Sequence, residues 1–227
     1  MRMTGAIKNQ FGCIPGLLKG EYHVKLPGVN EFAQMLVDLN LALRPRFYIM
    51  DGIVAMEGNG PRGGKPRAMN ILLLSVDPVA LDATVCRLVD LKPDYVPTLR
   101  LGQAGGLGSM QDVQLVGDDI SEFITPAFDV KHEQAAGPRV PGIKFINDLL
   151  VPKPFIIEEN CIRCGICVQS CPVRPKAVDW VSEAKDETPA YFYQRCIRCY
   201  CCQEMCPEHA IEIKSPWLRR ALGRWSN

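Results

Sequence analysis

The chain has 227 residues, 47% of them hydrophobic and 22% charged, and a formal net charge of +1. That balance describes a globular protein with room for one ordinary domain and a small one. It excludes a strongly basic nucleic-acid-binding surface, and the absence of any apolar run of about eighteen residues excludes a helical membrane span.

Residues 4–28 are rich in Gly and Pro and lack a clear period, which predicts loops with at most one short helix. Asn30 is the expected cap of a helix from Glu31 to Leu43, with Phe32, Met35, Leu36, Leu39 and Leu43 on one face. Arg44-Pro45 stops it. Phe47–Met50 reads as a buried strand, followed by Asp51 and a long Gly-rich loop over residues 52–66. A second continuous apolar run, Ile71–Val76, ends at Asp77-Pro78, where Asp77 or a neighbour caps a helix over Val79–Leu91. A short helix near Asp94–Gln103 and a strand at Val113–Val116 continue the pattern. The alternation predicts an α/β domain with a largely parallel sheet over residues 1–150. Residues 118–154 lose periodicity and read as a connection.

Asp51 and Asp77 then fall at the carboxyl ends of predicted strands, the edge where open α/β sheets bind ligands. Asp82, Glu57 and Asn59 are candidates to converge there, with paired acids holding a divalent cation or serving as acid and base. Capping for Asp77 and a solvated turn for Asp51 are the competing readings. The stretch 58–66 fails the Walker pattern, because Lys65 precedes Pro66 rather than Ser or Thr. A backbone anion nest aided by Arg62, Lys65 and Arg67 stays open beside a plain connecting loop. His23, His132 and His209 have no ligand-spaced neighbours and read as surface or packing residues.

The strongest signal lies between Cys161 and Pro207. Cys161, Cys164, Cys167 and Cys171-Pro172 repeat as Cys196, Cys199, Cys202 and Cys206-Pro207, two copies of Cys-x-x-Cys-x-x-Cys-x-x-x-Cys-Pro. This is the bacterial-type iron–sulfur spacing, in which the fourth cysteine of each run serves the other cluster. It assigns Cys161, Cys164, Cys167 and Cys206 to one 4Fe–4S cluster and Cys196, Cys199, Cys202 and Cys171 to the second. Structural zinc leaves no role for a third and fourth evenly spaced cysteine. Disulfides need an oxidising compartment, and the amino terminus has no apolar signal core, so the cytoplasm is the expected location. Arg163 and Arg198, inside the two loops, are expected to stabilise reduced clusters.

Three of the eleven cysteines remain. Cys86 reads as core, Cys201 as a packed thiol beside Cys202, and Cys13 as either packing or a reactive thiol. Short strands are expected at Phe155–Ile157, Val178–Trp180, Tyr191–Tyr193 and Ala210–Lys214, giving a small α+β ferredoxin-like module over residues 151–215. Residues 216–227 form a basic tail helix with Leu218, Leu222 and Trp225 on one side.

The stretches GAIKNQFGCIPG, MDGIVAMEGNGPRGGKP and SVDPVALDATVCRL resemble, in family order, the domain-of-unknown-function 362 family. The resemblance covers most of residues 4–120 and implies an α/β domain coupled to iron–sulfur clusters, without bringing a substrate. It also implies a segment ahead of the first motif, so the α/β domain is expected to be shortened at its amino end. Cys13 lies inside that first motif and stands as a candidate beside Asp51, Asp77 and Asp82. Together these features predict an iron–sulfur redox protein that relays electrons to or from a ligand on the α/β domain. The alternative is a plain ferredoxin-type carrier or complex subunit, whose partner is a redox protein rather than a nucleic acid.

Overall fold

The computed structural model describes residues 2–60, 63–130, 132 and 152–214. They divide into two units, residues 1–15 with 26–138 and residues 16–25 with 139–227.

In the first unit, α1 (Ala6–Asn9) runs into a single 3-10 turn over Gln10–Cys13. Helix α3 (Val29–Leu43) follows the short helix α2 (Gly16–Lys25), which belongs to the other unit. The cap of α3 is Gly28 rather than Asn30: the Glu31 carboxylate accepts from the Gly28 N–H at 3.1 Å. An acid in the first turn thereby meets an unpaired amide at the positive helix end. Strands β1 (Tyr48–Asn59) and β2 (Gly63–Ser75) form one long hairpin, and α4 (Pro78–Leu88) and α5 (Pro97–Ala104) complete the unit.

The expected parallel sheet is corrected here. β1 and β2 are antiparallel, as are the other strand pairs among the described residues. A short connection between consecutive strands can return the chain only antiparallel, whereas parallel strands need a crossover of a dozen or more residues. The two apolar runs suggest strands covered on both faces, but only alternate residues are covered. Tyr48, Met50 and Leu73 turn inward onto Ala6, Leu81 and Val85. Their neighbours Ile49, Leu72 and Leu74 remain 66%, 56% and 54% exposed. The Gly-rich stretch is also mostly strand, not loop. β1 passes straight through Asp51 and continues to Asn59, with a register shift between Gly52 and Val54. Gly52 is required there, because a Cβ would lie 2.6 Å from the Ile71 side chain across the pair. Residues 113–116 are extended without forming a strand, and Val116 is fully exposed. The expected helix near residues 94–103 divides into a 3-10 turn over Pro93–Tyr95 and α5. The tail over 216–227 and Arg62 lie outside the described residues.

The core of this unit is Ile7, Leu36, Val37, Val79, Leu88, Val96 and Leu99, all essentially inaccessible. Two buried polar groups knit it. Asn40 donates to the carbonyls of Ile7 and Leu36 and accepts from the Tyr48 hydroxyl. Asp82 accepts from the Ala6 and Ile7 amides at 2.6 and 3.2 Å.

In the second unit, β3 (Lys153–Ile156) pairs with β6 (Ile211–Lys214), and β4 (Val178–Asp179) with β5 (Ala190–Tyr191). Between them lie the short helices α6 (Ile166–Ser170) and α7 (Cys201–Glu204). These four strand positions agree with the expected module.

Candidate iron–sulfur centre

The two cysteine runs fold alike. In the first, Arg163 and Gly165 take left-handed backbone conformations, with φ of 57° and 72°. In the second, Arg198 and Tyr200 do the same at 61° and 62°. Each left-handed residue reverses the local direction of the chain, so consecutive cysteines face one centre rather than spreading along a strand. At Gly165 a Cβ would also press on the Trp180 ring at 3.2 Å. Each loop then enters a short helix that carries its third cysteine to the next one. Cys171, extended with φ −69° and ψ 116° ahead of Pro172, ends α6.

Cys161, Cys164, Cys167 and Cys206 line one pocket, together with Ile156, Arg163 and Ile211. Cys206 is distant in sequence yet joins the first loop's three cysteines. Burial pushes the Cys167 thiol up to about 11, and charge on Cys161, Cys164 and Cys206 acts in the same direction. Among the described residues, no three His, Cys, Asp or Glu side chains are placed to hold a lone ion. Four cysteines that line one pocket are the donor set that a 4Fe–4S cluster takes.

Cys167, Cys171, Cys202 and Cys206 are buried in one apolar cluster that both loops share, with Cys161 and Cys196 packed against it. Burial pushes the Cys202 thiol up to about 12, with Cys199 and Cys196 among its nearest charges. Hydrogen-bond donors reach cysteine sulfurs here. The Tyr191 hydroxyl donates to Cys202 Sγ at 3.1 Å, and the Ala177 amide to Cys171 Sγ at 3.3 Å. Burial beside these sulfurs raises the Tyr191 hydroxyl's pKa, so it stays protonated and able to donate. Cys201, expected only to pack, hydrogen-bonds through its thiol to Cys199 and holds that thiol below the ordinary cysteine range. The Arg198 guanidinium is buried, 5.3 Å from the centre of the Tyr193 ring. Thiolates in an apolar pocket with hydrogen-bond donors and a fixed cation nearby suit soft, iron-bearing clusters.

The acidic candidates are each engaged in local structure. Asp51 is exposed within β1, where its carboxylate accepts from the Ile53 amide at 2.9 Å beside the register shift. It therefore does not sit at a strand end. Asp77 caps α4 by accepting from Val79 and Ala80, and its second oxygen accepts from Ser109 at 2.9 Å. A polar cleft opens beside it, lined by Ser75, Thr84, Ser109, Asp112 and Gln114. Asp82 is buried against α1, and burial raises its carboxyl to about 7 against the pull of two amides. Glu57 accepts from the Asp129 amide and lies 4.0 Å from Arg67. Cys13 is exposed, 3.9 Å from Gln10 Oε1, while Cys86 is buried beside the Met3 sulfur. The contacts of Tyr191 and Cys201 escaped the sequence reading, because a strand tyrosine and a spare cysteine carry no signal until folding sets them against another cysteine's sulfur.

Comparison with known proteins follows the same division of the chain. The chain is 40% identical over 108 residues to a thylakoid-associated protein of Synechocystis sp. (sll1697), covering 47% of this chain and 34% of that protein. It is 25% identical over 134 residues to a subunit of the ion-translocating oxidoreductase complex of Serratia proteamaculans, covering 56% of this chain and 17% of that protein. The chain thus spans about a third or less of the length of these curated relatives. No solved structure matches it. No helix among the described residues is long and apolar enough to cross a membrane. The family models match both parts: residues 1–87 match a domain of unknown function (DUF362), and residues 153–214 match a 4Fe-4S dicluster domain.

Proposed function

We propose that this protein holds two 4Fe–4S clusters and relays single electrons between a redox partner protein and a ligand carried by the first unit. Cys161, Cys164, Cys167 and Cys206 bind one cluster; Cys196, Cys199, Cys202 and Cys171 bind the other. The observation that carries the reading is the meeting of Cys206 with the three cysteines of the opposite loop around one cavity. When bound, such clusters accept and release one electron at a time. The chain's own part is to surround them with apolar side chains, to donate hydrogen bonds to their ligand sulfurs, and to set Arg163 and Arg198 close by. A ligand would lie in the cleft beside Asp77, lined by Ser109, Asp112 and Gln114. Unbridged thiolates call for a reducing compartment, which agrees with a cytoplasmic location.

The second reading is a plain carrier or complex subunit without a substrate of its own. It is favoured by the structural engagement of Asp51, Asp77 and Asp82, which leaves no carboxylate assigned to chemistry. The name of the Serratia relative, a component of a complex, points the same way.

Iron and acid-labile sulfide in anaerobically purified protein test the ligand assignment. The wild type should carry about eight of each per chain, since each cubane holds four irons and four sulfides. Cys206→Ala should damage the cluster of the first loop while the second loop's cluster persists. Loss confined to the second loop's cluster would overturn the crosswise ligation.

A further inference from the structure

The two cysteine loops are near-copies, but the residues packed on them are not. Ile156 and Tyr191 occupy matching places, each the same distance ahead of its loop's first cysteine, Cys161 or Cys196. Ile156 lines the cavity that holds Cys167. Tyr191 lies over the equivalent cysteine, Cys202, and gives its sulfur a hydrogen bond at 3.1 Å. An isoleucine side chain has no donor, so this hydroxyl bond has no side-chain counterpart at the matching position of the first loop.

The donor is held in place. Tyr191 pairs with Val178 between β4 and β5, and the following amide, Phe192, donates to the Ala177 carbonyl at 2.8 Å. Its ring stacks on Tyr193, with centres 5.6 Å apart and planes 8° apart. Tyr193 is itself anchored by its hydroxyl to the Pro154 carbonyl at 2.9 Å and lies beneath both Lys153 and Arg198. Neither aromatic ring can swing away without breaking strand pairing or the stack.

We infer that Tyr191 makes the two centres unequal, raising the reduction potential of the cluster bound by Cys171, Cys196, Cys199 and Cys202 above that of the other. This rests on the two-cluster reading given above. Reduction adds negative charge that is shared with the cysteine sulfurs, and a hydrogen bond to a sulfur is stronger when that sulfur is more negative. The bond thus favours the reduced state of one cluster alone, and an incoming electron settles there first. Tyr191 acts as a positioning residue that gives the relay its direction.

The test is a redox titration, followed by electron paramagnetic resonance, of the intact protein and of Tyr191→Phe. The variant should move one midpoint to lower potential by about 59 mV, a tenfold loss in that one-electron equilibrium, and leave the other in place. Tyr95→Phe, which removes a hydroxyl from the 3-10 turn Pro93–Tyr95 and leaves the Tyr191–Tyr193 stack intact, should leave both midpoints unchanged. If Tyr191→Phe does not retain its clusters, 3-fluorotyrosine placed at position 191 serves instead. It keeps the ring and is a stronger donor, so the same midpoint should rise. Two clusters whose midpoints ignore the change at Tyr191, or shift together, would overturn the inference while leaving the two-cluster reading intact. Iron and sulfide for fewer than two clusters in the wild type would overturn that reading and this inference with it.

Discussion

Asp82 is buried to 1% exposure, and its carboxylate is held by two backbone amides at the start of α1. Those amides favour the charged form, but burial opposes it more strongly and lifts the carboxyl from 3.8 to about 7. The folded protein therefore keeps a proton that the unfolded chain releases. For a carboxyl raised on folding, this contribution to stability is greatest below about pH 4. It declines as pH rises from about 4 to about 7, by up to about 4 kcal/mol, and is level above that. Asp82→Asn removes the titration while keeping one acceptor for the amides. Chemical denaturation between pH 5.5 and 8 should show the wild type losing stability relative to the variant as pH rises. A constant difference across that range would mean that Asp82 is charged throughout. Gly5 belongs to the same arrangement, since a Cβ there would collide with the Asp82 carboxylate.

The β1–β2 hairpin behaves as a sheet with one finished face. Ile49 and Leu74 are register partners on the outer face, both more than half exposed, while Met50 and Leu73 beside them are packed inward. Changing both outer residues to Lys should alter stability by less than about 0.5 kcal/mol, as for other exposed positions, and should lower self-association by reducing the apolar patch. A loss above about 2 kcal/mol in denaturant would show that this face is covered. The same hairpin explains where sequence reading fell short. Both apolar runs were legible as strands, and α3 and α4 were legible from their apolar faces. Strand direction was not, because Ile71–Val76 looks the same whether its alternate side chains meet a second layer or water. Gly58, Gly60, Gly63 and Gly64 suggest a loop, yet backbone pairing carries the strands through much of that stretch. Cross-strand pairing within the hairpin overrides residue composition there.

At the scale of the whole molecule, the two units differ in how openly the sequence declares them. Cluster ligation is a local property, in which two left-handed residues and fixed cysteine spacing bring sulfurs together within one loop. The repeat was therefore legible directly, and Cys206 lines the same pocket as the first loop's cysteines. Asp51, Asp77 and Asp82 could be judged only by their partners, which come from residues as distant as Ser109 and Ala6. If the proposed function holds, the chain carries two redox-active centres close enough to exchange electrons. A reductive titration of the anaerobic protein, followed by electron paramagnetic resonance, tests this most directly. Partial reduction should give the signal of one reduced 4Fe–4S cluster. Full reduction should give the broadened, split signal of two neighbouring paramagnetic centres, reversible on reoxidation. A single uncoupled signal at full reduction, or protein loaded with zinc and silent throughout, would contradict it.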